Sequence, residues 1–325
     1  MSGPVVVAEL VRSGFVEGHH YGSVVALDRG GDVDWSVGSV MEPILARSSN
    51  KPVQALAMVR LGLDLPPDLL ALACASHSGE PFHVDGARRI LASAGLDESA
   101  LQTPPDYPLD DVAREEVIRA GGHRSSIQMN CSGKHAAMLA TCVVNGWDTS
   151  TYLSVDHPLQ LGIRSVFEEL TGEPVVAVAV DGCGAPLLST SLVGLATAFR
   201  RLALGIDGAD NPDAGSARVA DAIRRHPEFV SGSRRDEREL LTAIPGAIGK
   251  AGAESCYAVA LRDGRAFALK TDDGAARVRP VLMAEALRRS GIDGEPGVDG
   301  EVVRRTGVVP LLGGGVPVGE IRAVY

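Results

Sequence analysis

The spacing of apolar and polar positions changes period twice along the chain. Residues 5–11 form a valine-rich run with strand composition, and 23–28 form a second. Arg29-Gly30-Gly31-Asp32 then supplies a turn before a third run at 33–37. From about Asn50 the spacing becomes helical, with Val53, Leu56, Ala57, Arg60 and Leu61 recurring at intervals of three and four. The same period predicts helices over 67–74, 84–94, 109–120, 134–145 and 157–170. A buried strand is expected at 175–180, ending in Asp181-Gly182-Cys183-Gly184, and helices return at 190–204 and 214–225. Near the end, runs at 256–261 and 265–270 flank Asp263-Gly264, a hairpin signal. A last amphipathic helix at 277–289 precedes closing strands at 308–312 and 316–325.

Strands thus cluster at both ends and helices fill the middle. The economical arrangement is one antiparallel sheet built from both termini, with a helical middle lobe. The expected unit is a single one with two interleaved lobes: a sheet lobe of about 1–48 and 246–325, and a mainly helical lobe of about 49–245. Regular βαβ alternation is missing, which disfavours a Rossmann fold or an eight-fold barrel.

Charge and composition narrow the partners. With 31 Lys+Arg against 41 Asp+Glu, the formal charge of −10 speaks against nucleic acid or an anionic membrane surface, which require a basic face. No apolar run approaches the ~18 residues of a transmembrane helix, and the N-terminus lacks the pattern of a signal peptide. Five cysteines at irregular spacing do not form a secreted disulfide framework. A soluble, cytoplasmic protein is expected.

Candidate chemistry begins where the strand pattern gives way to the first helix, at Arg47-Ser48-Ser49-Asn50-Lys51-Pro52. Pro52 places the first helical turn around Ser48, because proline is tolerated near a helix start. Ser48 and Lys51, three apart, then share a face, and a desolvated lysine can serve as base to a serine. Four further segments concentrate small residues around reactive ones: Ala75-Ser76-His77-Ser78-Gly79-Glu80, Asn130-Cys131-Ser132-Gly133-Lys134-His135, Asp181-Gly182-Cys183-Gly184, and Gly249-Lys250-Ala251-Gly252. Each also reads as a local device, such as a helix cap at Gly79 or a small buried thiol at Cys131. Cys131 and Cys183, with Lys134 or His135, can be read as a metal set, though the paired C-x-x-C of structural zinc is missing.

Together, RSSNKP (47–52), CASHSGE (74–80), NCSGKHAAML (130–139), DGCGAP (181–186) and GKAGAE (249–254) resemble the Rhizobium-type, or class 3, L-asparaginases, in order and over nearly the whole chain. The resemblance implies an α+β, serine β-lactamase-like fold and hydrolysis of L-asparagine through a serine-lysine nucleophile and an acyl-enzyme. It implies two serine-lysine tandems, Ser48 with Lys51 and Ser78 with Lys250. It further implies a zinc site of Cys131, Lys134 and Cys183, with Asp181 orienting it. Arg47, Asn130, His135 and Asp181 are placed at the substrate pocket, and a homodimer is implied. A K-T-G strand motif and an S-D-N element are missing, which argues against β-lactam hydrolysis. A glutaminase, another serine amidohydrolase of this fold, and a catalytically inactive zinc-binding homologue are the alternatives.

Overall fold

The computed structural model describes residues 5–325; residues 1–4 of the expected sheet lobe lie outside the described part. The chain opens with β1 (Val5–Arg12), β2 (Phe15–Leu27), β3 (Val33–Val37) and the short β4 (Ile44–Leu45). After a single 3-10 turn at Arg47–Asn50 come α1 (Lys51–Arg60), α2 (Pro67–Ala73), α3 (Pro81–Ser93), α4 (Asp111–Arg119), α5 (Ser132–Asn145) and α6 (Pro158–Thr171). Strands β5 (Val178–Val180) and β6 (Pro186–Thr190) follow, then α7 (Leu192–Leu204), α8 (Ala214–Arg225), α9 (Pro227–Val230) and α10 (Asp236–Ala243). The C-terminal part holds β7 (Ile248–Ala251), β8 (Tyr257–Ala260), β9 (Ala266–Thr271), α11 (Arg279–Arg289), α12 (Gly300–Thr306), β10 (Val309–Gly313) and β11 (Val316–Ala323).

Eight strands form one antiparallel sheet in the order β10-β11-β1-β2-β9-β8-β7, with β3 also on β2. The N- and C-terminal strands interleave, as the sequence pattern predicts: β1 pairs β11 from Ala8 with Ala323 to Arg12 with Gly319, and β2 pairs β9 from Gly22 to Leu27. Strand β2 is longer than its apolar run because its first half, Phe15 to Gly22, pairs β1 with Phe15, Glu17, His19 and Tyr21 turned alternately to solvent. The helices α7 and α11 pack on this sheet.

The middle of the chain is helical, and two of its helices are buried almost all round. Every residue of α1 from Lys51 to Met58 is buried, as is α5 from Ser132 to Cys142. Small side chains permit this: an added Cβ at Gly133 would sit 2.6 Å from Leu72 Cγ, so only glycine lets the start of α5 meet α2. The expected buried strand at 175–180 is corrected. Only Val178–Val180 is strand, an edge of a small sheet ordered β4-β6-β5, with Val178 and Val180 exposed. Within this small sheet the fully buried strand is β6. Among the described residues, no helix is long and apolar enough to cross a membrane.

Candidate active site

The 3-10 turn at Arg47–Asn50 leads straight into α1, with Pro52 in the first helical turn. Lys51 keeps helical angles (φ −60°, ψ −36°) although proline follows it. Strand β7 abuts this turn at its end: an added Cβ at Gly252 would lie 3.0 Å from Ser49 Oγ and 3.2 Å from Ser48 N. Glycine there lets the strand end come against the serine turn. Arg47 adopts φ 48°, a left-handed conformation rare outside glycine, and its guanidinium is tied down by Asp181 Oδ1 at 2.9 Å and Glu254 Oε1 at 3.2 Å.

Beside this turn lies a cavity of about 460 Å³, lined by Arg47, Ser48, Ser76, Asn130, Cys131, Asp181, Cys183, Arg235, Gly252 and Arg279 among others. All five motif segments contribute to this wall. The segment 74–80 is irregular but wholly buried, and the chain satisfies its backbone: Ser76 N–H donates to Val230 O and His77 N–H to Asn130 O. Gly79 is not a helix cap, since α2 ends at Ala73; it turns the chain at φ +79° against Pro108. His77 is buried and neutral: burial holds its pKa well below the ordinary value. It accepts from Gly79 N–H at Nδ1 and meets Ser132 Oγ at 2.9 Å through Nε2.

The structure re-pairs the expected serine-lysine tandems. Lys51 Nζ, 1% exposed, donates to Ala75 O at 2.6 Å and lies 2.9 Å from Ser76 Oγ and 3.0 Å from Cys131 Sγ; it makes no hydrogen bond to Ser48. Ser48 is half-buried and turns its hydroxyl to no protein partner. The second tandem is not assembled. Ser78 Oγ is buried without a partner, in space left by the hydrogen of Gly232. Lys250 is fully buried on β7 and bonds Glu237 at 3.1 and 3.4 Å and Ala251 O at 2.6 Å. Burial lowers its pKa to about 8 despite Glu237. Neither Ser78 nor Lys250 lines the cavity. The side chains that sequence reasoning did not single out include Ser76, Arg235 and Arg279 on the cavity wall and Glu237 beside Lys250.

Cys131, Lys134 and Cys183 do come together. Lys134 Nζ is 3.2 Å from Cys183 Sγ, and the Cys131 thiol donates to Asn130 Oδ1 at 3.0 Å. The neighbouring Cys131 thiol, helped by the Lys134 cation, drives Cys183 far down toward thiolate, while the same contact and burial push Cys131 well up. Burial opposes a charge on Lys134, but the Cys183 thiolate outweighs it and holds the pKa above the ordinary value. Burial and the Lys134 charge lower His135 to about 4; its Nδ1 meets Tyr152 OH at 2.7 Å, and its buried Nε2 has no partner. Asp181 accepts from Arg47, and Asn130 accepts from Cys131 at the cavity edge.

No group of three or more His, Cys, Asp and Glu poised for a metal occurs among the described residues. The donor set nevertheless fits zinc by its chemistry: two thiols and an amine are soft-to-borderline ligands, and three of them leave a fourth position open. Metal would displace the protons that Cys131 and Lys134 hold.

Solved structures with a related chain path include a β-lactamase from Mycobacterium bovis, 16% identical, covering 82% of this chain and 94% of that one (TM-score 0.45). Mglu in its native form is 13% identical over 82% of this chain and 64% of its own (TM-score 0.39). A Bacillus glutaminase is 11% identical over 83% and 91% (TM-score 0.36). No curated protein sequence matches. The family model described as L-asparaginase II matches residues 8–323, so the resemblance carried by the five motifs holds across the chain, and the protein belongs to the L-asparaginase II family of amidohydrolases.

Proposed function

We propose that the protein is an L-asparaginase, cleaving the side-chain amide of L-asparagine to L-aspartate and ammonia. The observation that carries this reading is the 2.9 Å contact of buried Lys51 Nζ with Ser76 Oγ, beside a cavity that Ser48 also lines. A base within hydrogen-bond reach of a hydroxyl is the core requirement of nucleophilic catalysis by serine. Ser48, whose hydroxyl is uncommitted, attacks the amide carbon. Its proton passes to Ser76 as Ser76 gives its own to Lys51, acting as the neutral amine. The Ser48 backbone N–H, in a first helical turn where no intrahelical acceptor exists, stabilises the oxyanion. Collapse expels ammonia, which takes the proton back along the same path. Water then cleaves the aspartyl ester by the same relay. Arg47, fixed by Asp181, and Asn130 border the bound substrate. Ser78 and Lys250 take no part in these steps.

Cys131, Lys134 and Cys183 would hold zinc, which when bound would supply positive charge to polarise a nearby carbonyl. Cys131→Ser and Cys183→Ser proteins should lose the bound metal in elemental analysis; unchanged zinc content removes them as ligands. A homodimer belongs to the same proposal and is read by sedimentation.

The decisive assay is ammonia release from L-asparagine, run in parallel with L-glutamine. One methylene alters discrimination by only ~1–3 kcal/mol, so slower turnover of glutamine is expected rather than none. A folded Ser48→Ala protein should release no ammonia, and a folded Lys51→Ala protein should release it at least about a hundredfold more slowly. Mass spectrometry of a trapped acyl-enzyme should place the adduct on Ser48. Activity retained in both variants overturns the assignment, and an adduct on Ser76 reverses the roles of the two serines.

A further inference from the structure

The chain carries a formal charge of −10, yet its cavity has the opposite sign. The lining holds three arginines, Arg47, Arg235 and Arg279, against one carboxylate, Asp181. Two of the arginines are engaged. Arg47 is bound to Asp181 and Glu254. Arg279 Nη2 meets both oxygens of Asp236 at 3.2 Å, and its guanidinium lies 5.7 Å from the Tyr257 ring centre. Its Nε is different: 8% of the residue is exposed, and that nitrogen is buried with no acceptor. Arg235 makes no side-chain hydrogen bond or ion pair among the described residues, although it is only half-exposed on the cavity wall.

Guanidinium donors are seldom left idle where water is restricted, because each unpaired N–H forfeits the hydrogen bond it had in solvent. An uncommitted guanidinium on a cavity wall is matched to a planar anion that accepts two bonds at once. Both arginines sit at helix starts, Arg235 just before α10 and Arg279 at the first residue of α11, so their backbones are fixed.

We propose that Arg235 is the seat of the substrate's α-carboxylate, and that the enzyme selects amides bearing a free carboxylate. This deepens the asparaginase reading and rests on it. Arg47, committed to Asp181 and Glu254, shapes the pocket instead of anchoring the substrate.

The test compares L-asparagine with its α-methyl ester, following ammonia, in wild type, Arg235→Ala and Arg235→Lys. Wild type should prefer asparagine by tenfold or more in kcat/KM. Arg235→Ala should raise KM for asparagine at least tenfold, with kcat within about threefold, and should collapse the preference toward one. Arg235→Lys should recover part of it. Equal losses on both substrates, or an unchanged KM, overturn the proposal. Calorimetric titration with L-aspartate separates this idea from the reading beneath it. A wild type inactive on asparagine that still binds aspartate through Arg235 keeps the anion seat and discards the substrate. Aspartate binding unchanged in Arg235→Ala discards the seat.

Discussion

Lys51 and Lys250 are both buried lysines, on opposite sides of the seam where β7 meets the serine turn, and both follow a glycine- or serine-rich motif. Their surroundings give them different work. Lys51 reaches two neutral oxygens and a thiol, with no carboxylate among its hydrogen-bond partners, and one of those oxygens is the hydroxyl of Ser76 on the cavity wall. Lys250 faces Glu237, itself 0% exposed, which also accepts from Ala251 N–H at 2.9 Å. The first lysine has a hydroxyl within hydrogen-bond reach, whereas the second is half of an ion pair that pins α10 to β7. A serine and a lysine in adjacent motifs therefore do not suffice to define a catalytic pair; what the lysine nitrogen already holds decides.

Substituting the two lysines should separate these roles most sharply. Lys51→Ala should lower kcat by roughly 10²–10⁴-fold, the range for loss of a positioned base, with an unfolding midpoint close to wild type. Lys250→Met strands a buried carboxylate and should cost about 3–5 kcal/mol in urea unfolding. Adding Glu237→Gln should restore much of that loss, since a neutral amide beside methionine leaves no buried charge. A Lys250→Met protein of native stability, or a double variant no better than the single one, erases the contrast.

The serines offer a finer version of the same comparison. Ser76→Ala removes the hydroxyl bonded to Lys51 and should cost on the order of 10²-fold in kcat. Ser78→Ala removes a buried hydroxyl that bonds nothing, so activity should stay within about twofold and stability within about 1 kcal/mol of wild type. Reversed sensitivities would return the second tandem to Ser78.

That pair also shows where the sequence stops being legible. The sheet from both termini, the helical middle and the segments around the cavity follow from periodicity and from reactive residues set among glycines. The choice between Ser76 and Ser78 does not, because 74–80 has no regular period; its side-chain directions are set by distant backbone at Asn130 and Val230. Strand β7 escaped notice because Gly249-Lys250-Ala251 lacks the β-branched and aromatic residues that mark strands. Glu237 did leave a trace. It lies three and four residues before Leu240 and Leu241, on the buried face of α10, so its carboxylate stands where an apolar side chain is expected. A charged residue in such a position calls for a buried partner, and Lys250 is that partner.

The last expected effect concerns the ring packed against His77, the residue after Ser76. His83 is buried, its ring stacked 5.1 Å from that of His77, and it donates through Nε2 to Glu228 O at 3.0 Å. Burial lowers its pKa from 6.5 to about 4. Between those values the unfolded chain binds a proton that the folded protein refuses, so stability falls as pH drops from 6.5 toward 4 and is fully present above 6.5. The share from His83 is at most about 3 kcal/mol across the window. His83→Phe should lose stability at pH 7.5 through the missing hydrogen bond, yet show a shallower decline in unfolding free energy between pH 6.5 and 4.5. If the decline is as steep as in wild type, acid sensitivity originates elsewhere, and the segment holding Ser76 is no more vulnerable to protonation than the Lys250–Glu237 side of the site.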